Sequence, residues 1–333
     1  MPQRHSNVKS HLIIALKAIV TLGIIGIIAR SVDVKALLAT VRSLQFGYVI
    51  AATALIAIQN FILAGRWWVV LRSIGGRLNL GEVVQITLIA QFFNQALPST
   101  VGGDAIRIWR AKKQGVPLRF AAQSVLVDRG LATAALLMIL LCGVLGQSGL
   151  GNLFQVAMPV DVLAGCGVVG FAVLAFAGPV LFGLLPKHRV FTEIAGLATA
   201  LHRVVLGAGS FSATTALSVV NHLTSIWTTV LLANAVGVDL PFSTAFVLAP
   251  IVLLLSMAPI SIGGWGVREG LTVLAFSFAN VAPTNSLAIS LLFGILTIIG
   301  NLPGGVLWPA SGAWRIDTTD LPADIARATE QGV

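Results

Sequence analysis

Charged residues are scarce in this sequence. Lys, Arg, Asp and Glu make up 10% of its 333 residues, whereas hydrophobic residues make up 56% and the mean hydropathy is +0.93. A soluble domain of this composition could not cover its apolar surface, because soluble domains carry about 25% charged residues. The scarcity therefore excludes a soluble globular protein and predicts an all-α polytopic membrane protein that uses lipid as its solvent.

Cysteine is almost absent as well. Cys142 and Cys166 lie in apolar runs without a CxxC or Cys/His spacing, which excludes a zinc site and a disulfide framework; we expect both to be small packing residues. The sequence has no GxxxxGK[ST] loop, which excludes ATP-driven transport by this chain alone. No set of His, Asp and Glu residues has the spacing of a metal site or of a nucleophile with its base, so we expect no enzyme activity and no cofactor.

One apparent nucleotide motif lies inside an apolar run. Residues 165–170 match GxGxxG, but a dinucleotide site needs a strand before this motif and a helix after it in a soluble unit. The position in mid-membrane favours close packing of a helix through small residues.

The few charged residues are unevenly distributed. The net charge is +9, and the basic residues lie in short stretches between apolar runs, such as 107–119 and 187–203. This distribution is typical of cytoplasmic loops, so no nucleic-acid partner is expected, and it favours cytoplasmic N- and C-termini. If every apolar run is a full crossing and the N-terminus is outside, the charge bias is nearly as good. The stretch 187–203 is a loop or an interfacial helix.

Apolar runs long enough to cross a bilayer, which needs about 20 residues, occur six times. They cover residues 11–29, 47–65, 120–146, 156–185, 211–237 and 286–308. The first follows a basic start without a small-residue cleavage site, and we interpret it as an uncleaved helix and not as a secretory signal. The second ends in Arg66-Trp67-Trp68, whose side chains suit the headgroup level.

One motif occurs twice. Residues Pro98 to Arg107 and Pro259 to Arg268 both match P-x-[ST]-x-G-G-x-x-[IV]-R at a constant offset, since 259 − 98 = 161. In each copy a proline and a glycine pair end an apolar run, because they permit backbone conformations that a helix interior excludes. Two ordinary loops rich in Pro and Gly are the alternative, but the matches beyond the glycine pair favour a repeat.

The segments beside each motif are short. Residues 243–258 and 267–282 are near or below the roughly 17 residues of a span, and residues 104–119 are too polar to cross. Both motifs are therefore predicted at the tips of re-entrant hairpins. Three of the six full spans separate them, which places the tips on opposite faces. The sequence thus predicts an inverted repeat, with repeat one at about 47–146 and repeat two at about 211–309.

The two motifs have the features of an anion site. A glycine-rich break before a helix leaves backbone N–H groups and the positive end of the helix dipole directed at one point. Arg107 and Arg268 follow one turn later, and a planar guanidinium suits a phosphate group. The alternative is structural, with the two arginines extended to the interface or paired with Asp104 and Glu269.

Polar residues inside the apolar runs are further candidates. Asp128 and Arg129 lie within the third span, and since adjacent helix residues do not face each other, we expect each to pair elsewhere. The fifth span has a polar seam of Ser218, Asn221, His222, Ser225 and Thr228 or Thr229. For His222 in this seam, a hydrogen-bonded structural histidine is favoured over a ligand. Three amides share one helical face before the first motif and indicate inter-helix hydrogen bonds or the wall of a polar cavity: Gln91, Asn94 and Gln95.

Taken in order along the chain, these residues resemble a known family. The ordered set comprises Arg66-Trp67, Asn94, Pro98, Gly102-Gly103-Asp104, Arg107, Asp128-Arg129, Pro259, Gly263-Gly264 and Arg268-Glu269. It is similar to the flippase-like membrane domain of lysylphosphatidylglycerol synthases, over roughly residues 10–310. Many relatives have Gly-Glu in the first motif, whereas the acidic residue of this chain, Asp104, is shifted by one position.

The resemblance implies a bacterial inner-membrane protein. Residues 1–310 are expected to form the flippase-like membrane domain and residues 311–333 a short polar tail, and with about 23 residues after Ala310 we expect no soluble synthase domain. The implied function is to move or bind an anionic phospholipid or lipid-linked headgroup, with membrane lipids as partners. The alternative is a non-transporting accessory subunit of an envelope-lipid or glycan biosynthesis enzyme. The expected substrate-binding residues are Asn94, Pro98, Gly102, Gly103, Asp104, Arg107, Asp128, Arg129, Pro259, Gly263, Gly264, Arg268 and Glu269.

The inverted topology can be tested by labelling. In a variant whose Cys142 and Cys166 are replaced by alanine, single cysteines introduced at Ser99 and at Ile260 should react with impermeant reagents from opposite membrane faces. The physical reason is the odd number of crossings between the two motifs. Reaction of both positions from the same face would exclude the inverted repeat.

Overall fold

A computed structural model describes residues 34–96, 102–146, 160–184, 189–257 and 264–311. Every regular element in these ranges is an α-helix, which confirms the all-α prediction. The helices are α1 Val34–Arg42, α2 Phe46–Ile74, α3 Leu80–Ala96, α4 Gly102–Lys113, α5 Leu118–Gly146, α6 Val160–Phe176, α7 Gly178–Gly183, α8 Arg189–Leu206, α9 Ala208–Ala235, α10 Phe242–Ser256, α11 Val267–Ser277 and α12 Pro283–Ala310.

Four of these helices are long and apolar enough to cross a membrane. They are α2, α5, α9 and α12, each of 28 or 29 residues, while α6 and α10 are apolar but shorter. A helix of 28 residues is about 42 Å long, which exceeds the roughly 30 Å of the hydrocarbon core. The chain is therefore a polytopic membrane protein. The first predicted span, 11–29, lies outside the described residues.

The helix α2 continues well beyond the predicted end of the second span. It ends at Ile74, where Gly75 takes a left-handed conformation with φ of 107°. Arg66 and Trp67 are only 3% and 0% exposed. Both side chains therefore face the protein interior and not the lipid headgroups, and Arg66 meets an acidic partner there.

The fourth predicted span is not a single helix in its described part. The helix α6 ends at Phe176, and α7 follows with Pro179 in its first turn. Proline has no N–H to donate to the carbonyl four residues earlier. That carbonyl, of Ala175, instead accepts a hydrogen bond of 2.8 Å from His202 Nδ1. The donor belongs to α8, so the described part of 187–203 is a helix and not a loop.

Two groups of four helices share one order of lengths. The helices α2 to α5 have 29, 17, 12 and 29 residues, and α9 to α12 have 28, 15, 11 and 28. Their packing also corresponds, since α3 lies against α12, α10 lies against α5, and α2 lies against α9. Gln59 and Arg66 of α2 contact Ser225 and Ser218 of α9, respectively. The helices α2 and α9, each the first of its group, therefore run antiparallel.

Glycines permit the closest approaches between helices. A Cβ at Gly304 of α12 would overlap the carbonyl oxygen of Leu88 in α3. A Cβ at Gly167, within the GxGxxG match, would lie 2.7 Å from Leu137 Cδ1 of α5, which confirms helix packing at that position. Cys142 and Cys166 are exposed, so the expectation that they are packing residues is wrong.

The packing of Gly304 predicts a selective effect on stability. Gly304→Ala should destabilise the protein by about 1–3 kcal/mol, because the backbone of α3 must move away from the new methyl group. Gly170→Ala is the matched control, since a Cβ there meets no atom within 4 Å. Thermal unfolding in detergent, followed by tryptophan fluorescence, measures both variants. Equal melting temperatures for the two would contradict the close contact between α3 and α12.

Candidate functional site

Five charged side chains from three helices meet in the interior. Asp128 of α5 accepts hydrogen bonds from Arg66 Nε of α2 at 2.7 Å and from Arg107 NH2 of α4 at 2.9 Å. Asp104 of α4 lies 3.6 Å from Arg107 NH1 and accepts a hydrogen bond from Arg129 Nε. We call these five residues the charge cluster. The expectation that Asp128 and Arg129 find partners elsewhere is confirmed.

The charge cluster is largely shielded from solvent. The side chains of Arg66, Arg107 and Asp128 are 4%, 5% and 1% exposed, whereas that of Arg129 is 43% exposed. Burial of an ion is costly unless it is paired and hydrogen-bonded. The three guanidinium groups and two carboxylates carry a formal net charge of +1, since 3 − 2 = 1. Arg129 brings part of this charge toward the protein surface.

The glycine pair of the first motif positions Arg107. Gly103 donates its backbone N–H to Asn94 Oδ1 of α3 at 2.9 Å, and a Cβ at Gly103 would overlap the carbonyl oxygen of Ala90. The absence of a side chain thus lets the start of α4 lie directly on α3. Arg107 follows one turn later and places its guanidinium 4.3 Å above the ring of Trp67. This ring contact adds a favourable cation–π interaction.

The second motif forms a smaller ion pair. Arg268 NH2 lies 2.6 Å from Glu269 Oε1, and the second carboxylate oxygen of Glu269 accepts a hydrogen bond of 2.5 Å from the backbone N–H of Gly266. Ser290 of α12 lies within 3.3 Å of both side chains. A Cβ at Gly294 would overlap the Arg268 guanidinium. These contacts correspond to the structural alternative, in which Arg268 pairs with Glu269.

A cavity of about 40 Å³ adjoins Arg268. Its lining includes the hydroxyl-bearing residues Thr229 of α9 and Thr272 of α11, together with Ser290. The Arg268 side chain is 19% exposed and that of Glu269 4%. Arg268 therefore combines a buried acidic partner with access to a small space whose lining is mainly apolar and includes three hydroxyl groups.

The helix α9 connects the two motifs. Ser218 accepts a hydrogen bond from Arg66 NH1 at 3.4 Å, and Thr229 lines the cavity beside Arg268. These two residues are 11 positions apart, or about 16 Å along the helix. Between them, Ser225 accepts a hydrogen bond of 2.7 Å from Gln59, and His222 Nε2 donates to the Ala132 carbonyl at 2.9 Å. The structural interpretation of His222 is confirmed.

The structure groups the expected site residues into two places. The first contains Asn94, Gly102, Gly103, Asp104, Arg107, Asp128 and Arg129, and the second contains Gly264, Arg268 and Glu269. Pro98, Pro259 and Gly263 lie outside the described residues. Extension of Arg107 to the interface is excluded by its burial, and its closest acidic partner is Asp128 and not Asp104.

Two contributors were missed by the sequence reasoning. Arg66 hydrogen-bonds Asp128 although it stood at the predicted end of a span, and Ser290 completes the second ion pair. A signal for Arg66 existed, because a charged residue at the edge of an apolar run is itself a functional candidate. Ser290 carried no such signal. Among the described residues, no group of three or more His, Cys, Asp and Glu side chains could hold a metal ion.

Removal of the Asp128 charge should destabilise the fold. Asp128→Asn leaves two buried arginines without their shared acceptor, at an expected cost of about 3 to 5 kcal/mol. Thermal unfolding in detergent measures the loss, with Asp239→Asn at an exposed position as the control. Adding Arg66→Gln to Asp128→Asn should restore part of the stability, because fewer buried charges are then unpaired. If the double variant is no more stable than Asp128→Asn, the direct pairing of Arg66 with Asp128 is contradicted.

Comparison with known proteins identifies one relative and a family. One archaeal relative, a UPF0104 membrane protein of Methanocaldococcus jannaschii, is 29% identical over 131 residues, which cover 39% of this chain and 38% of that protein. The chain thus matches about two fifths of the length of that curated relative. A family model described as the lysylphosphatidylglycerol synthase TM region matches residues 14–305 and so includes both motifs and the charge cluster. The chain belongs to the family of the lysylphosphatidylglycerol synthase transmembrane region.

Proposed function

We propose that this protein is a lipid translocase. Its substrate is an anionic phospholipid or a lipid-linked molecule with an anionic headgroup, which binds between the two motifs and crosses the membrane while its tails stay in lipid. The observation that carries the proposal is the polar seam of α9, which joins the charge cluster at Ser218 to the Arg268 cavity at Thr229. Polar residues inside a membrane mark substrate pathways when they face the interior of the protein.

The proposal includes an inverted repeat, with repeat one at about 47–146 and repeat two at about 211–309. It is supported by the matching order of helix lengths in α2–α5 and α9–α12 and by the antiparallel pairing of α2 with α9. If these two helices are equivalent, one repeat is turned over relative to the other. In transporters of this kind, the substrate site lies near the midplane, at the interface of the repeats.

The arginines supply the chemistry for an anionic headgroup. The charge cluster has a formal net charge of +1, which one phosphate diester would neutralise. A guanidinium presents two parallel N–H groups that match two phosphate oxygens. Arg129 and Arg268 are the two motif-associated arginines with partial exposure, at 43% and 19% of their side chains. A headgroup therefore reaches these two arginines first. Its phosphate then replaces the carboxylates that pair with them.

We place the protein in a bacterial inner membrane with both termini in the cytoplasm, a choice supported by the basic stretches between the apolar runs. Movement through it is driven by the lipid gradient or by another protein, because the sequence contains no GxxxxGK[ST] loop. The protein binds and moves the lipid without chemical change.

Substitutions at Arg268 test this function. In reconstituted vesicles, movement of a fluorescent phosphatidylglycerol should fall partially in Arg268→Lys, because lysine keeps the charge but lacks the two parallel N–H groups. It should fall nearly completely in Arg268→Gln, which lacks the charge as well. Arg268→Gln/Glu269→Gln should recover protein abundance, since no unpaired buried carboxylate remains, but should not recover lipid movement. Dithionite bleaching of the fluorophore measures movement, and Arg77→Gln, at an exposed loop position, is the charge control.

Two outcomes would contradict the proposal. Recovery of lipid movement in the double variant would mean that Arg268 only neutralises Glu269. No lipid movement by the purified unmodified protein would favour the accessory role beside an envelope-lipid or glycan biosynthesis enzyme.

A further inference from the structure

Two adjoining cavities lie outside the motifs, between α8 and the start of α5. The smaller has a volume of about 160 Å³ and the larger about 600 Å³. Arg119 and Gln123 of α5 line both cavities, so the two adjoin at these side chains. Ile74, the last residue of α2, lines the smaller cavity and lies 8 residues, or about 12 Å, beyond Arg66. This space is therefore separate from the charge cluster and lies at the ends of two long helices.

The smaller cavity contains the basic residues of this space. Arg119 of α5 and Arg203 of α8 both line it, together with Gln123 and Thr199. In the part of the chain that the structure describes, neither arginine forms an ion pair. Gln123 is only 8% exposed, and within the same ranges no hydrogen bond to its amide is seen. Because Gln123 lines both cavities, a ligand or water in this space can hydrogen-bond the amide.

A glycine of α8 determines where the Arg119 guanidinium lies. A Cβ at Gly196 would overlap Arg119 NH2 and would lie 2.9 Å from Gln123 Nε2. The guanidinium therefore rests on the bare backbone of α8, next to the Gln123 amide. This contact holds Arg119 at the junction of the two cavities.

The larger cavity is mainly apolar. Its lining comprises Leu118, Ala122, Leu126, Ile194 and Leu197, with Arg119, Gln123 and the exposed Glu193 as its polar members. Leu118 and Leu126 are 55% and 53% exposed, so the groove opens to the surface of the protein. The space thus has a basic end and an apolar end.

We propose that this space is a second lipid site, which holds an anionic glycerophospholipid. The phosphate lies between Arg119 and Arg203 and accepts from the Gln123 amide, and an acyl chain lies along the leucine-lined groove between α5 and α8. Charge complementarity identifies the ligand, because Arg119, Arg203 and Glu193 together carry a formal charge of +1 and two planar guanidinium groups suit one phosphate. The continuous apolar groove favours a lipid over free phosphate. The site does not depend on lipid transport by the central motifs.

Photolabelling tests this site directly. The full protein in phosphatidylcholine nanodiscs is irradiated with phosphatidylglycerol that carries a diazirine in its acyl chain, and the labelled peptides are identified by mass spectrometry. Label is expected in 118–126 and 190–197. Arg119→Gln/Arg203→Gln should lower this label at least about tenfold, since each charge-assisted hydrogen bond contributes about that factor to binding. Label at the central motifs should be unchanged.

Two further variants separate position from charge. Gly196→Ala keeps every charge but displaces the Arg119 guanidinium, and should lower the label in the same peptides. Arg77→Gln removes an exposed charge from the loop that follows α2 and should leave the label unchanged. Size-exclusion profiles establish that each variant is folded.

Three results would overturn the proposal. Unchanged label in both Arg119→Gln/Arg203→Gln and Gly196→Ala would show that the two arginines do not bind the lipid. Equal labelling by a diazirine phosphatidylcholine would show an apolar groove without selection for anionic headgroups. Loss of the label in excess inorganic phosphate would show an anion pocket that does not require a lipid.

Discussion

The carboxylate of Asp128 accepts hydrogen bonds from Arg66 and Arg107 and thereby joins α2, α4 and α5 in the protein interior. None of these three ions would be stable there alone, because desolvation of a single charge costs several kcal/mol. Each is therefore present only because the other two are. The short helix α4 depends most on this arrangement, since it has only 12 residues and three of its five buried residues are charged: Asp104, Arg107 and Arg110.

In the proposed function, binding of a headgroup at the second motif is an exchange of ionic partners. Arg268 already lies 2.6 Å from Glu269, and the cavity beside it, of about 40 Å³, has room for water but not for a phosphate with its glycerol. A lipid must therefore widen this space and replace the Glu269 carboxylate. The affinity for the lipid then reflects the difference between the Arg268–phosphate pair and the Arg268–Glu269 pair. The charge cluster differs from the Arg268–Glu269 pair, because its formal charge of +1 leaves an attraction for an anion even when all internal pairs are kept. Two motifs with one sequence pattern thus differ in electrostatics.

The sequence predicts the helical class and the long spans because span length is set by the bilayer, which acts on every residue of an apolar run alike. It also predicts that Asp128 and Arg129 do not pair with each other, because that follows from local helix geometry. The actual partners depend on which helices become neighbours. Arg66 contacts Asp128, which lies 62 positions later in the sequence. The prediction from hydropathy alone ended this span at Arg66, because Arg66 is the first charged residue after the apolar run. The break before α7 had a local signal, Gly178-Pro179, which a count of apolar residues does not register.

The contact between Gly304 and Leu88 has a consequence for biosynthesis. The helix α3 packs on α12, which is made 304 − 88 = 216 residues later. At about 5 to 20 residues per second, this interval is on the order of 10 to 40 s. During this interval, α3 lies in or beside the membrane and does not yet contact α12. Its amide side chains, Gln91 and Asn94, are costly to expose to hydrocarbon. Until α12 has been synthesised, the insertion machinery or α2 must therefore contact α3 and keep these amides away from the lipid.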